Sequence, residues 1–151
     1  MKDEISLRDY RSTDLEAMFR LDEVCFAEAF RFDRESMRLF AEERGAIVLI
    51  AETDAGLAGF VIVHVTGRWG YVVTLDVAPE SRRAGLAGKL MQEVQRRAAA
   101  AGAQWMGLHV FTGNEEAIRF YERMGYERGE RKRRFYGAAG LDAFVYRREL
   151  G

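Results

Sequence analysis

Apolar and polar positions along the chain switch period several times, and the switches mark out its elements. Residues 4–10 alternate weakly, as in a short first strand. Thr13-Asp14-Leu15-Glu16 has the spacing of a capping box, in which the Thr hydroxyl and the Glu carboxylate satisfy orphan helix amides reciprocally. It predicts a helix that carries Leu15, Met18, Phe19 and Leu21 inward and runs to about Cys25. Asp33 can cap a second helix with Met37, Leu39 and Phe40 at its apolar positions. Three β-branched runs follow: Ile47–Ile50, Phe60–Val65 after the turn Thr53-Asp54-Ala55-Gly56, and Tyr71–Val77, which stops at Ala78-Pro79. Connections this short predict an antiparallel meander.

From Ala84 the period becomes helical. Ala87, Leu90, Met91, Val94, Ala98 and Ala101 recur at i, i+3, i+4, i+7, i+11 and i+14, and Gly102 is a natural C-terminal stop. A strand from Trp105 to Val110, a helix from Glu115 to Met124 ended by Gly125, and two strands around 126–135 and 142–149 complete the chain. A strand–helix–strand unit after a meander predicts an α/β fold, a mixed sheet flanked by helices.

Composition narrows the classes. The 151 residues are 48% hydrophobic and 31% charged, which suits a single soluble domain spanning residues 1–151 with one sizeable core. A net charge of −1 supplies no global field toward nucleic acid or anionic membrane, so neither is expected as a partner. One cysteine, Cys25, allows no internal disulfide and no Cys-pair zinc site; no metal is expected, and a reducing cytoplasm fits that usage. No apolar run approaches the ~20 residues of a membrane span. One proline argues against a Pro-rich linker.

Two stretches carry chemistry. In the first, Leu75-Asp76-Val77 ends a strand, Pro79 stops it, Arg82 and Arg83 follow, and a helix opens among Ala84, Gly85, Leu86, Ala87 and Gly88. A helix start presents unpartnered N–H groups at an electropositive end, and small residues there let an oxyanion approach. Arg82 and Arg83 add charge-assisted donors. The spacing is not a P-loop, because Gly85 and Gly88 are three apart and Lys89 precedes Leu90; a dinucleotide fingerprint is absent too. Taken alone, the same residues also read as a solvated loop beside a tightly packed helix. In the second stretch Asn114 is a good N-cap, Glu115 and Glu116 complement the dipole, and Tyr121 lies two turns on, on the same face. Its hydroxyl rides an apolar stripe with Ile118 and should find a polar partner if buried, although a lone tyrosine is more often core.

Val77-x-Pro79 followed by Arg82-x-x-Gly85-x-Ala87 resembles motif A of the Gcn5-related N-acetyltransferase (GNAT) superfamily, and Asn-x-x-Ala-x-x-x-Tyr-x-x-x-Gly-Tyr from Asn114 to Tyr126 resembles its motif B. The resemblance implies a mostly antiparallel mixed sheet of six to seven strands with about four helices, and acetyl-CoA as acyl donor. It implies that Arg82–Ala87 holds the pyrophosphate and that the bulged strand Leu75-Asp76-Val77 faces the pantetheine arm, with a freed N–H polarising the thioester. Asn114 would lie near that arm, and Tyr121 near the sulfur as acid for the departing thiolate.

Further stretches are similar to the RimI-like branch, which acetylates protein N-termini. Phe26-Ala27-Glu28-Ala29-Phe30 matches its substrate loop, with Ala27 where proline is usual. Phe135-Tyr136…Asp142-Ala143 matches its closing hairpin, and Leu108-His109-Val110 stands where the branch has Leu-Glu-Val. Substrate contacts are thus expected from Phe26, Glu28 and Tyr136. His109 replaces a glutamate base and is itself a candidate base near neutral pH, directly or through water, with Asp76 and Glu28 as rivals. His64 reads as a strand filler, Cys25 as core, and the five basic residues between Arg128 and Arg134 as a solvated hairpin. The expected activity is transfer of an acetyl group to a primary amine by direct attack, most simply a protein N-terminal α-amine, by a monomer or homodimer. A small amine as acceptor, or an acyl-CoA-binding module without turnover, are the competing readings.

Overall fold

The computed structural model describes residues 4–151. Seven strands form one sheet in the order β1-β2-β3-β4-β5-β7-β6. β1 (Ser6–Asp9), β2 (Ala46–Thr53), β3 (Gly56–Thr66) and β4 (Trp69–Val77) are the antiparallel meander expected from the short turns. β5 (Trp105–Phe111) then runs parallel to β4, and β7 (Ala143–Glu149) sits between β5 and the edge strand β6 (Glu127–Lys132). The parallel step needs a crossover, which α3 (Leu86–Ala100) supplies. No helix among the described residues is long and apolar enough to cross a membrane.

The central strands are apolar at successive positions because both faces are covered. Leu49, Ala51, Val61 and Val63 point to α3 and α4 (Glu115–Arg123) and pack with Leu86, Leu90, Met91, Val94 and Tyr121. Val48, Ile50, Phe60 and Ile62 point the other way, to Met18 and Leu21 of α1 (Leu15–Cys25) and Met37 and Ala41 of α2 (Arg34–Glu42). Each fully buried Val, Leu, Ile, Phe or Met side chain among them contributes roughly 1.5–3 kcal/mol. α3 lies close to the sheet because Gly59 leaves room: a Cβ there would stand 2.9 Å from the Asp76 carbonyl and 3.3 Å from Leu86.

Three local expectations are corrected. At the start of α1 no side chain caps the helix: the Asp14 carboxylate reaches back to the Arg11 N–H at 2.7 Å, closing the preceding 3-10 turn Ser12–Asp14, while pairing with Arg8, and Thr13 is exposed. In α2 Leu39 is exposed and Ala41 is buried instead. The turn Pro79–Ala84 is a separate 3-10 segment, and α3 begins only at Leu86, with Gly85 before it at φ +75°. Asp33 and Asn114 do cap α2 and α4, accepting from Ser36 N at 2.7 Å and Ala117 N at 3.1 Å.

Candidate active site

β4 and β5 pair only from Trp69–Trp105 to Tyr71–Gly107, and beyond that point they diverge. Val72–Val77 therefore keeps a ladder partner only on its β3 side, and a slot opens through the sheet. The divergence coincides with a bulge: Ile62 pairs with Thr74 but Val63 with Val72, so Val73 is the extra residue. The bulge thus lies upstream of Leu75-Asp76-Val77. It also reverses which face the following side chains take. Leu75 and Val77 join the core under α3, whereas Val73 and the region of Asp76 face α1.

One mouth of the slot is the start of α3. Gly85 adopts a left-handed conformation that only glycine takes readily, and a Cβ at Gly85 or at Gly88 would meet nothing within 4 Å. Lys89 is the first α3 residue to donate back, to the Gly85 carbonyl at 3.2 Å, so the Leu86–Gly88 amides have no intrahelical acceptor. Arg82 stands at the same mouth, its Nε donating to the Val77 carbonyl at 3.1 Å. That carbonyl also accepts from the Cys25 thiol at 3.3 Å. It is thus engaged within the protein, a correction to the reading of Val77 as a free pairing group. Ala84 and Arg83 belong to the same turn; the Arg83 side chain lies outside the described part of the structure. Open space, free amides and a fixed cation fit a phosphate-bearing ligand.

On the α3–α4 side of the slot stands Tyr121, 8% exposed, edge-on to Tyr126 at 5.6 Å. Its hydroxyl has no hydrogen-bond partner among the described residues. Tyr126, by contrast, donates to Gln95 at 2.6 Å. Burial, with Asp76 and Tyr136 nearby, pushes the Tyr121 phenol well above the ordinary tyrosine value, so it stays protonated. Asn114 spends its side-chain oxygen on the cap of α4.

The opposite side of the sheet carries the other groups. Met106, Leu108 and Val110 point into the core, so His109 points to the far face, as strand alternation predicts. There its Nδ1 lies 2.8 Å from the Tyr71 hydroxyl, and its ring stacks on Phe135 at 4.0 Å. Burial, and then Lys132, lower its pKa below the usual histidine value, so the ring is neutral at pH 7. Phe30, Phe111 and Tyr136 form an aromatic wall beside it: Phe30 is 4.7 Å from Tyr136 and 5.1 Å from Phe111. Burial pushes the Tyr136 phenol up to about 12. Asp142 fixes the hairpin that holds Phe135 and Tyr136, accepting from Arg131 Nε at 2.8 Å and the Arg134 N–H at 2.9 Å.

Several sequence-derived candidates land elsewhere. Phe26 ends α1 and makes no aromatic contact with Tyr136; Phe30 holds that position. Glu28 is exposed and hydrogen-bonds to no side chain among the described residues. Asp76 is 0% exposed with its carboxyl on Thr74 and Asp22, so it does not open to the slot as a base. Tyr71 and Phe111 were not singled out by sequence reasoning, and Phe135 entered it only as part of the closing hairpin. Tyr71 and His109 are 38 residues apart, and no local spacing signals their contact. His64 is a strand filler, bonded to the Phe40 carbonyl and Glu43. The basic hairpin is laced with ion pairs and Arg128 stacks on Phe144. Among the described residues no group of three or more His, Cys, Asp or Glu could hold a metal ion.

The comparisons with known proteins agree with this geometry. A curated protein of Mycobacterium leprae (strain TN), the uncharacterized protein ML0378, is 36% identical over 122 residues; the match covers 80% of this chain, and the chain spans about a third (33%) of that relative. Among solved structures, the ribosomal-protein-S18-alanine N-acetyltransferase from Escherichia coli superposes with a TM-score of 0.86 at 21% identity, over 98% of this chain and 95% of the other. Arabidopsis thaliana NAA60 in complex with acetyl-CoA gives 0.86 at 22% identity, over 97% and 98%. At such identities these two show a shared fold. Residues 10–126, from the end of β1 through α4, match the acetyltransferase (GNAT) family, and the chain belongs to that family.

Proposed function

We propose that this protein transfers the acetyl group of acetyl-CoA to the α-amine of a protein or peptide N-terminus. The observation that carries the reading is the slot between β4 and β5, with an anion-ready helix start at its mouth, Tyr121 on one side and the Tyr71–His109 pair on the other. Solved structures of the same fold include the ribosomal-protein-S18-alanine N-acetyltransferase and a complex with acetyl-CoA, which support both the donor and the acceptor class.

The bound donor supplies an acetyl thioester, whose thiol leaving group has a pKa of about 8.5. The Leu86–Gly88 amides and Arg82 hold its pyrophosphate, and the edge of β4 at Leu75 and Asp76, unpaired toward β5, aligns its arm. His109 takes the proton of the incoming amine. In the tautomer with Nδ1 protonated, His109 donates to the Tyr71 oxygen and leaves Nε2 as the free lone pair. The proton removal itself discriminates between amines, whatever the base. An α-amine, pKa near 8, gives up its proton about 3 kcal/mol more readily than a lysine near 10.4. Tyr121 faces the departing sulfur. Its raised phenol makes complete transfer to a thiolate uphill by at least about 2 kcal/mol, so its contribution is a hydrogen bond that strengthens as charge develops. Phe30, Phe111 and Tyr136 wall the acceptor side, where an extended chain end with apolar side chains fits better than a small polycation.

The test is an acetylation screen with acetyl-CoA against N-terminal peptides and a panel of small amines. Turnover of peptides at the α-amine supports the reading. Turnover confined to polyamines, amino acids or drugs transfers it to a small-molecule enzyme, and acetyl-CoA binding without any turnover transfers it to a binding module.

A further inference from the structure

Two carboxyl groups meet inside the protein, and among the described residues no cation is bound to either. Asp22 of α1 and Asp76 of β4 are both 0% exposed. Asp22 Oδ2 accepts from the Phe32 N–H at 2.9 Å, and Asp76 Oδ1 accepts from Thr74 Oγ1 at 2.5 Å. The remaining oxygens, Asp22 Oδ1 and Asp76 Oδ2, are buried and have no donor, yet the two side chains lie within hydrogen-bonding reach of each other. Among the described residues the groups around them are few. Glu23 and Arg31 face Asp22, while Arg82, the Cys25 thiol and Tyr121 face Asp76. Arg31 spends its Nε on the Phe26 carbonyl and Arg82 on the Val77 carbonyl. Two ionised carboxylates without a bound cation do not persist in such a site, and a proton placed between the orphaned oxygens satisfies both.

Asp22 also holds both ends of the segment that carries Phe30. The Phe26 N–H donates to its backbone carbonyl at 3.0 Å, and the Phe32 N–H to its side chain. We propose that Asp22 and Asp76 share one proton as a hydrogen-bonded acid pair that pins the Phe26–Phe32 loop to the donor-side strand β4, making both of them positioning residues for the acceptor. The acceptor role of that loop rests on the N-acetyltransferase reading; the shared proton does not.

The direction with pH follows from the site. Burial, and then the facing carboxyl, raise Asp76 well above the ordinary aspartate value of 3.8. The folded state therefore keeps a proton that the unfolded chain has released. The pair's contribution to stability is fully present below the unfolded value near pH 4 and falls as pH rises, until the pair lets its proton go. Asp76→Asn replaces the shared proton with an amide N–H that does not titrate.

Infrared spectroscopy of the unmodified protein at pH 7 is expected to show the C=O absorption of a protonated carboxyl, absent from Asp22→Asn and Asp76→Asn. In denaturant titrations the unfolding constant of the wild type should rise about tenfold per pH unit relative to Asp76→Asn across that window. Hydrogen exchange in Asp76→Ala should quicken at Phe32 and leave α3 protected. A wild type without the acid absorption, or a pH-independent difference from Asp76→Asn, overturns the shared proton. An unchanged Phe32 amide in Asp76→Ala overturns the pinning. If Asp76→Asn does not fold, the infrared measurement on the wild type and on Asp22→Asn still decides. None of these readings uses acetyl transfer, so they stand or fall apart from the activity.

Discussion

His109 and Tyr121 stand on opposite faces of the sheet, and each is tuned by its surroundings in the direction its proposed role needs. His109 must be neutral to accept a proton, and burial against Phe135 lowers its pKa. Activity should therefore rise with pH through a group titrating below 6.5 and then level with respect to that group. In His109→Gln this acid limb should vanish and kcat fall; an unaltered profile assigns the base elsewhere. Tyr71→Phe leaves the ring without its 2.8 Å partner and should lower kcat with the limb displaced. Tyr121→Phe removes only the hydroxyl. Turnover should drop by about 10²-fold or more while acetyl-CoA affinity by calorimetry is retained. Tyr121 was legible from spacing, since residues seven apart share a helix face. Tyr71 was not, because its partner arrives from a strand 38 residues away.

Two short elements prepare the slot. The turn into α3 needs Gly85 at φ +75°, and Gly85→Ala should cost about 1 kcal/mol of stability. Its methyl group would also enter the open space at the helix start, so acetyl-CoA binding should weaken beyond what the stability loss explains, as calorimetry would read. α4 depends on its cap. Asn114→Ala should cost about 1 kcal/mol, or roughly 2–4 °C in Tm, with α4 and thus Tyr121 less rigidly held. Capping at Asn114 and Asp33 could be read directly because the donor lies three residues on. At α1 the same rule chose Thr13. No side chain takes that role: Arg8, on the neighbouring β1, fixes the Asp14 carboxylate where it holds the preceding turn at the Arg11 N–H.

Across the whole molecule the sheet works as a partition: under the proposed function, donor groups arrive from the α3–α4 side and acceptor groups from the α1–hairpin side. They can meet only where β4 and β5 separate. Keeping that partition thin requires α3 to lie against Gly59. Gly59→Ala places a Cβ 2.9 Å from the Asp76 carbonyl and should destabilise by roughly 1–3 kcal/mol in chemical denaturation, with transfer activity lost in step with folding.

Periodicity and turn chemistry by themselves determined the meander, the crossover helix, the capped α4 and the two stretches that resemble family motifs, because each of these is specified by residues within a few positions of one another. Tertiary structure alone decided which side chains meet. The bulge at Val73 reverses the faces of β4, so Asp76 turns to Asp22 rather than to the slot; a period of two cannot reveal one inserted residue. Phe30 rather than Phe26 meets Tyr136 because Asp22 ties down the loop between them. The slot itself is an absence of pairing between two strands that both read as good strands, and whether neighbouring strands separate depends on what packs around them.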